Sequence, residues 1–186
     1  MIMDNKEEKK DIIDGARLRL RRMTVEDTPD VLMWRNKEFV VSHFIYRKEI
    51  TREDHLNYIK SKIDTGLTEQ FIMEVKEDGK PHGIGCVYLQ NIDRENKKAE
   101  FGIFIGDEDA LEQGYGTEAQ KLILEYGREK LGLKTVTLKV LDDNERALRT
   151  YGRNGFSLLP GSVRMTACDG SEINILTMEK DMDGGL

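Results

Sequence analysis

The stretch from Gly106 to Leu133 places the tightest constraint on the fold. It reads as the end of a strand, a loop with two glycines two apart (Gly114 and Gly116), and then an amphipathic helix. Ala119, Leu122, Ile123, Tyr126 and Leu131 recur at helical spacing, while Glu118, Lys121, Glu125, Arg128 and Glu129 face out. Gly132 supplies a stop, and Leu133 is the apolar residue that commonly follows one. Gly114-Tyr115-Gly116-Thr117 presents backbone N–H groups with little side chain in front of them. The helix behind adds its own unpaired N–H groups and a partial positive charge, so the pair suits a phosphate or pyrophosphate. The same glycines would serve a connecting loop that needs only a tight turn, and spacing alone leaves both readings open.

Length and composition narrow the class. A chain of 186 residues fits one domain with short tails. No apolar run approaches the ~20 residues that span a bilayer, so no membrane is expected. The charged start Met1-Ile2-Met3-Asp4-Asn5-Lys6-Glu7-Glu8-Lys9-Lys10 has no apolar centre, so no secretory signal is expected there. Cys86 and Cys168 match no metal or redox spacing and read as free thiols in a reducing cytoplasm. His43, His55 and His82 show no ligand spacing, so no metal is expected. A net charge of -6 argues against non-specific nucleic-acid binding and is compatible with cationic substrates such as amines.

Read in order, residues 1–15 form a mobile tail, 16–180 a single domain and 181–186 a frayed end. Arg17 to Arg22 alternates as a strand, with Leu18 and Leu20 on one side and the arginines on the other. A helix runs through Val31, Leu32, Trp34 and Arg35, and Phe39 to Tyr46 is aromatic and irregular. Thr51 to Asp54 is a capping box that opens a helix carrying Leu56, Ile59 and Ile63. Gln70–Lys76, Gly83–Asn91 and Lys97–Ile105 then alternate as an antiparallel meander, the first two joined at a turn signal, Asp78-Gly79. Thr135–Leu141 is a further strand, and Asn144 caps a helix that ends at Asn154-Gly155. Two last strands, near Phe156–Leu159 and Ile173–Glu179, flank a loop or strand near Val163–Cys168. The order predicts a mixed α/β (α+β), mostly antiparallel sheet of six to seven strands with helices on both faces.

Three features together resemble the GNAT superfamily of N-acetyltransferases. Ala99-Glu100-Phe101-Gly102-Ile103-Phe104-Ile105 looks like its fourth strand, and Gly114-Tyr115-Gly116-Thr117-Glu118-Ala119 like the second half of its pyrophosphate loop. Asn144-Glu145-Arg146-Ala147, followed by Tyr151 and Asn154-Gly155-Phe156, is similar to its N-x-x-A-x-x-x-Y-x-x-x-G-F signature. The resemblance runs from Arg17 to about Lys180. It implies an enzyme that moves an acetyl group from acetyl-CoA directly to a primary amine, with no covalent enzyme intermediate. By that resemblance Ile103, Phe104, Ile105, Gly114, Tyr115, Gly116, Thr117, Asn144 and Ala147 meet the cofactor. Glu100 is then the base beside the thioester and Tyr151 the acid for the leaving thiolate. One departure stands out: the loop's opening Gln or Arg is Leu111, its usually small neighbour is Glu112, and Asp107, Glu108 and Asp109 precede them.

The acceptor side is implied more loosely. Trp34-Arg35-Asn36, Phe44-Ile45-Tyr46 and Ile50 to Leu56 resemble the front end of enzymes acting on amino-sugar nucleotides. In that reading Trp34, Arg35, Asn36, Tyr46 and His55 border the acceptor, and Arg35 or Arg47 meets a phosphate. The ribosomal-protein alanine and spermidine acetyltransferases share the same cofactor half, and by analogy the chain pairs as a homodimer. Two other readings remain: a non-catalytic CoA-binding module of the same fold, and a dinucleotide-binding oxidoreductase. The second needs repeated βαβ units, whereas this glycine loop follows an antiparallel meander.

Overall fold

The computed structural model describes residues 12–76 and 81–183. Its strands are β1 (Ile12–Asp14), β2 (Leu18–Arg22), β3 (Glu69–Val75), β4 (His82–Asp93), β5 (Lys98–Ile105), β6 (Thr135–Leu141), β7 (Ser157–Thr166) and β8 (Glu172–Asp181). The helices are α1 (Thr28–Arg35), α2 (Glu38–Val41), α3 (Arg52–Tyr58), α4 (Tyr115–Leu131) and α5 (Glu145–Arg153). One sheet holds all eight strands in the order β1-β2-β3-β4-β5-β6-β8-β7. Every neighbouring pair is antiparallel except β5 and β6.

Strand alternation sorts the side chains onto two faces. Leu18, Leu20, Phe71, Met73, Val87, Leu89 and Phe101 share one core with Ala119, Ile123 and Leu124 of α4. Each fully buried Ile or Leu there stabilises the fold by about 1.5–3 kcal/mol. Ala147, Leu148 and Tyr151 of α5 pack against the same core. Ile72 and Cys86 point the other way, to Val31 and Trp34 of α1, with Phe104 beside them. The arginines of β2 on this second face are held by acids: Arg19 and Arg21 both meet Glu74 at 2.7 Å, and Arg21 also meets Asp27 at 2.7 Å. The helices therefore lie on both sides, α4 and α5 on one face and α1 with α3 on the other.

The local signals are recovered. Asp54 N donates to Thr51 Oγ1 at 3.1 Å and Thr51 N donates to Asp54 Oδ2 at 2.9 Å, closing the capping box. Gly132, at φ 66°, ends α4, and Leu133 N donates back to Gly127 O.

Four expectations change. The sheet has eight strands, not six or seven, because Ile12–Asp14 adds an edge strand and the segment near Val163 belongs to one long β7. Ile12–Asp14 is part of the sheet and not of a mobile tail, since Ile13 pairs with Leu20 and packs on the core. At the other end Met182 is buried and its N–H donates to Lys134 O at 2.9 Å. The Asp78-Gly79 turn lies outside the described residues. Within Phe39–Tyr46, read as irregular, Phe39–Val41 falls in the short helix α2.

Candidate active site

The sheet opens on one side of β5. Its parallel pairing with β6 lasts three positions, Lys98↔Thr135, Ala99↔Val136 and Glu100↔Thr137. From Leu138 onward β6 pairs only with β8 among the described residues. Lys97 O accepts from Lys134 N at 2.8 Å, and Ala99 O accepts from the Thr137 hydroxyl at 3.5 Å, so odd-numbered backbone groups point toward β6. Strand alternation carries that direction on to Ile103 and Ile105, whose N–H and C=O groups face the gap beyond the last paired position. An extended chain carrying amide groups can pair there as a strand would.

The glycine loop stands at the open end of this gap. Gly114 caps α4 in the left-handed region at φ 83°, and Gly116 lies in the first turn. A Cβ at Gly116 would sit 3.7 Å from Ile105 Cδ1, so nothing inside the protein forbids a side chain there. Its absence leaves the first N–H groups of α4 open to an approaching anion. The Thr117 hydroxyl makes no hydrogen bond among the described residues. Tyr115 is buried, with the Arg17 guanidinium 4.8 Å from its ring centroid, which makes it a core contact.

Arg17 went unnoticed in the sequence. It donates to Gln113 O at 2.8 Å and pairs with Glu118 at 3.4 Å, which sets a cation beside the loop. It directly precedes β2, 96 residues before Gln113, and no local pattern signals that contact. The loop acids turn aside. Asp107 Oδ1 accepts from Asp109 N, Glu108 is exposed, and Glu112 reaches Arg146 of α5 at 3.5 Å.

Across the gap, Asn144 Oδ1 accepts from Ala147 N at 3.1 Å and caps α5. One turn later Tyr151 packs edge-on to Phe101, with centroids 6.0 Å apart, and lies beside Phe156. Burial pushes its phenol up to about 12. Glu100 lies on the opposite face of the sheet, where Lys139 holds it at 3.0 Å and the Gln90 amide donates to it at 2.8 Å. The two proposed proton handlers thus flank β5 from its two sides. A cleft of about 520 Å³ lies at the C-terminal end of β6, lined by Ser42, His43 and Arg47 on one wall and by Asn144, Glu145 and Arg146 on the other.

The residues expected at the acceptor scatter. Trp34 is core, packed so tightly on Gly106 that a Cβ there would fall 2.1 Å from it. Asn36 clasps the next loop, donating to Ile50 O and accepting from Ile50 N, both at 2.9 Å. His55 is buried between α1 and α3 with its Nδ1 3.1 Å from the Thr28 hydroxyl. Tyr46 is exposed, and its carbonyl accepts from Cys168 N. Arg47 donates to Ser171 Oγ at 2.8 Å. Arg35 alone of this set is a buried charge beside β5, stacked on Phe44, which meets Phe104 edge-on.

A sheet that splays beside a glycine-capped helix, with a tyrosine across the split, is the arrangement in which known proteins can be compared. The acetyltransferase (GNAT) domain profile matches residues 17–157. The chain belongs to the GNAT acetyltransferase family. It is an enzyme that takes an acetyl group from acetyl-CoA and passes it to an amine. Acetyltransferase PseH of Campylobacter jejuni is 30% identical over 129 residues, covering 69% of this chain and 75% of that protein. The spermidine N-acetyltransferase of Vibrio cholerae in complex with CoA and spermine superposes with a TM-score of 0.82 at 20% identity, covering 91% of this chain and 98% of that one. The ribosomal L7/L12 alpha-N-protein acetyltransferase RimL with coenzyme A gives 0.77 at 20% identity, covering 94% and 100%. At those identities the two structures show the shared fold. Among the described residues no helix is long and apolar enough to cross a membrane.

Proposed function

We propose that transfer takes place at the middle of β5, with the cofactor entering from the α4–α5 face and the acceptor amine from the α1–α3 face. The observation that carries this reading is the edge of Ile103 and Ile105, without a strand partner among the described residues and set between the α4 N-terminus and Tyr151. When bound, acetyl-CoA supplies an activated acyl group and a thiolate leaving group. Gly114, Gly116 and Thr117 hold its pyrophosphate, while Ile103 and Ile105 pair with the pantetheine arm and direct an N–H at the carbonyl. Phe104, Asn144 and Ala147 border the arm. Glu100 takes a proton from the amine, directly or through water, since an amine near pKa 10 arrives charged. Burial raises the Tyr151 pKa to about 12, which keeps the phenol protonated and able to donate a hydrogen bond to the thiolate as it leaves.

One experiment tests both halves: thermal unfolding with acetyl-CoA, or with NAD as control, beside turnover, in the wild type and Tyr151→Phe. At a hundredfold over Kd, acetyl-CoA should add about 2.7 kcal/mol, or about 5–10 °C. Tyr151→Phe should keep that shift and lose about 10²–10⁴-fold in kcat. Unchanged turnover removes Tyr151 from the chemistry, and no shift removes the cofactor site.

We further place the enzyme in the cytoplasm, on its two unpaired cysteines, buried Cys86 and exposed Cys168. We also propose a homodimer through the outer edge of β7, where Leu158 and Val163 are 55% and 61% exposed. Light scattering should report two copies, and a single-chain mass would exclude the dimer.

A further inference from the structure

Arg35 ends α1 and is 8% exposed, yet no hydrogen bond or ion pair holds it among the described residues. Its Nη1 is buried without a partner, and its guanidinium carbon lies 3.4 Å from the centroid of Phe44. The arginines of β2 differ, since each has a carboxylate: Arg19 and Arg21 on Glu74, and Arg22 on Glu69. Burial pulls the pKa of Arg35 down, and among the described residues the group that opposes this is the Tyr88 phenol, which is no carboxylate. A buried guanidinium without an anion is costly, so the position calls for a counter-ion from outside.

Its neighbours fix where that anion would lie. Phe44 meets Phe104 of β5 with centroids 5.7 Å apart. The Tyr88 ring covers Gly102, its partner across the ladder, where a Cβ would fall 2.2 Å from it. Phe104 and Gly102 share a face of β5 with Glu100, and that face runs beside the gap. Glu100 and Phe104 lie four residues apart on β5, about 13 Å along the strand. Glu179, the other acid of that row, lies beyond Thr137 at the Glu100 end. The acceptor face therefore carries Glu100, paired with Lys139, and Glu179 at one end and a guanidinium with no carboxylate at the other.

We propose that Arg35 receives an oxyanion carried by the acceptor itself, so the acceptor is a primary amine that also bears a carboxylate or phosphate. This rests on the gap being the transfer site. Such an acceptor lays its amine toward Glu100 and its anion against the guanidinium fork, which takes either oxyanion through two N–H groups. A polyamine would bring a second ammonium against Arg35 in a poorly hydrated site, which selects against it.

The test is thermal unfolding of the CoA-saturated protein, wild type and Arg35→Met, in sodium phosphate, sodium acetate or spermidine against sodium chloride of equal ionic strength. Saturating CoA occupies the glycine loop, and its own shift reports separately on the transfer reading. A missing CoA shift with the anion effect intact would sink the transfer site and leave the oxyanion site standing. At ten times Kd, phosphate or acetate should raise the wild-type Tm by about 3–6 °C more than chloride does and leave Arg35→Met at its chloride value. The salt that acts distinguishes phosphate from carboxylate. Should Arg35→Met not fold, Arg35→Lys keeps the charge, loses the fork and should shrink the shift. Equal anion shifts in the wild type and the variant that folds, no anion shift in the wild type, or a saturable rise with spermidine in the wild type would overturn the proposal.

Discussion

At the scale of single residues, Glu112 is the most informative. Its φ is 62°, in the left-handed region, where a side chain costs about 1–2 kcal/mol relative to a glycine. Its carboxylate is exposed and meets Arg146 at 3.5 Å, a surface pair worth at most about 1 kcal/mol. Glu112→Gly should therefore hold or raise stability by up to about 1 kcal/mol. It also takes a negative charge away from the loop, which tightens acetyl-CoA by at most roughly fivefold, the about 1 kcal/mol that a carboxylate at 4 Å would exert in water. Urea unfolding and an acetyl-CoA titration measure the two effects, and a loss of stability would show that the Arg146 pair dominates. The motif explains why a small residue is usual at this position only once the φ is seen. The same holds for Arg17, Arg47 and Arg35, three arginines in one sequence. One clamps the loop, one is tied to Ser171, and one is buried against Phe44 with no anionic partner among the described residues. Residue type announced positive charge, and tertiary contacts alone assigned the work.

At the scale of elements, the glycine loop and α4 were legible because their signals are local: period, cap and stop. The gap beside β5 was not readable from pattern, although the resemblance implied it. Three positions of parallel pairing followed by divergence leave no mark on β5, which alternates to its end. They leave none on β6, which keeps β8 as a partner throughout. The turn-only and anion-site readings of the loop can now be separated. A Cβ at Gly116 would meet only Ile105 and Ile103 side chains at 3.7 and 3.8 Å, so Gly116→Val can be built into the helix. Valine is also a better helix residue than glycine by a few tenths of a kcal/mol. The variant should fold with undiminished stability, while its branched side chain shields the first N–H groups of α4. Acetyl-CoA binding should then weaken at least tenfold by calorimetry. Unchanged affinity would make these glycines turn residues and nothing more.

At the scale of the whole molecule, the two-faced sheet buries acids that must keep their protons. Tyr58, Tyr88, Tyr151 and Cys86 all have pKa values raised by burial, Tyr151 and Cys86 to about 12 and the other two in the same direction. The unfolded chain releases those protons near the ordinary values, about 8.5 for a thiol and 10 for a phenol. The folded chain thus binds more protons through that window, and its stability falls as pH rises. The contribution is whole below about pH 8 and is lost progressively toward pH 12. Each group removes about 1.4 kcal/mol per pH unit once it is ionised only in the unfolded chain, so four together remove about 5 kcal/mol per unit above pH 10. Two such units remove about 10 kcal/mol, the greater part of the 5–15 kcal/mol that a domain has. The urea midpoint should hold from pH 7 to 8, drop clearly by pH 10.5, and lose most of its value by pH 12. Tyr151→Phe should take about a quarter from the slope above pH 10 whatever it does to catalysis. This separates its burial from its role as an acid. A midpoint that stays flat to pH 10.5 would mean that water reaches these side chains and that the two faces of the sheet are less tightly closed than their packing implies.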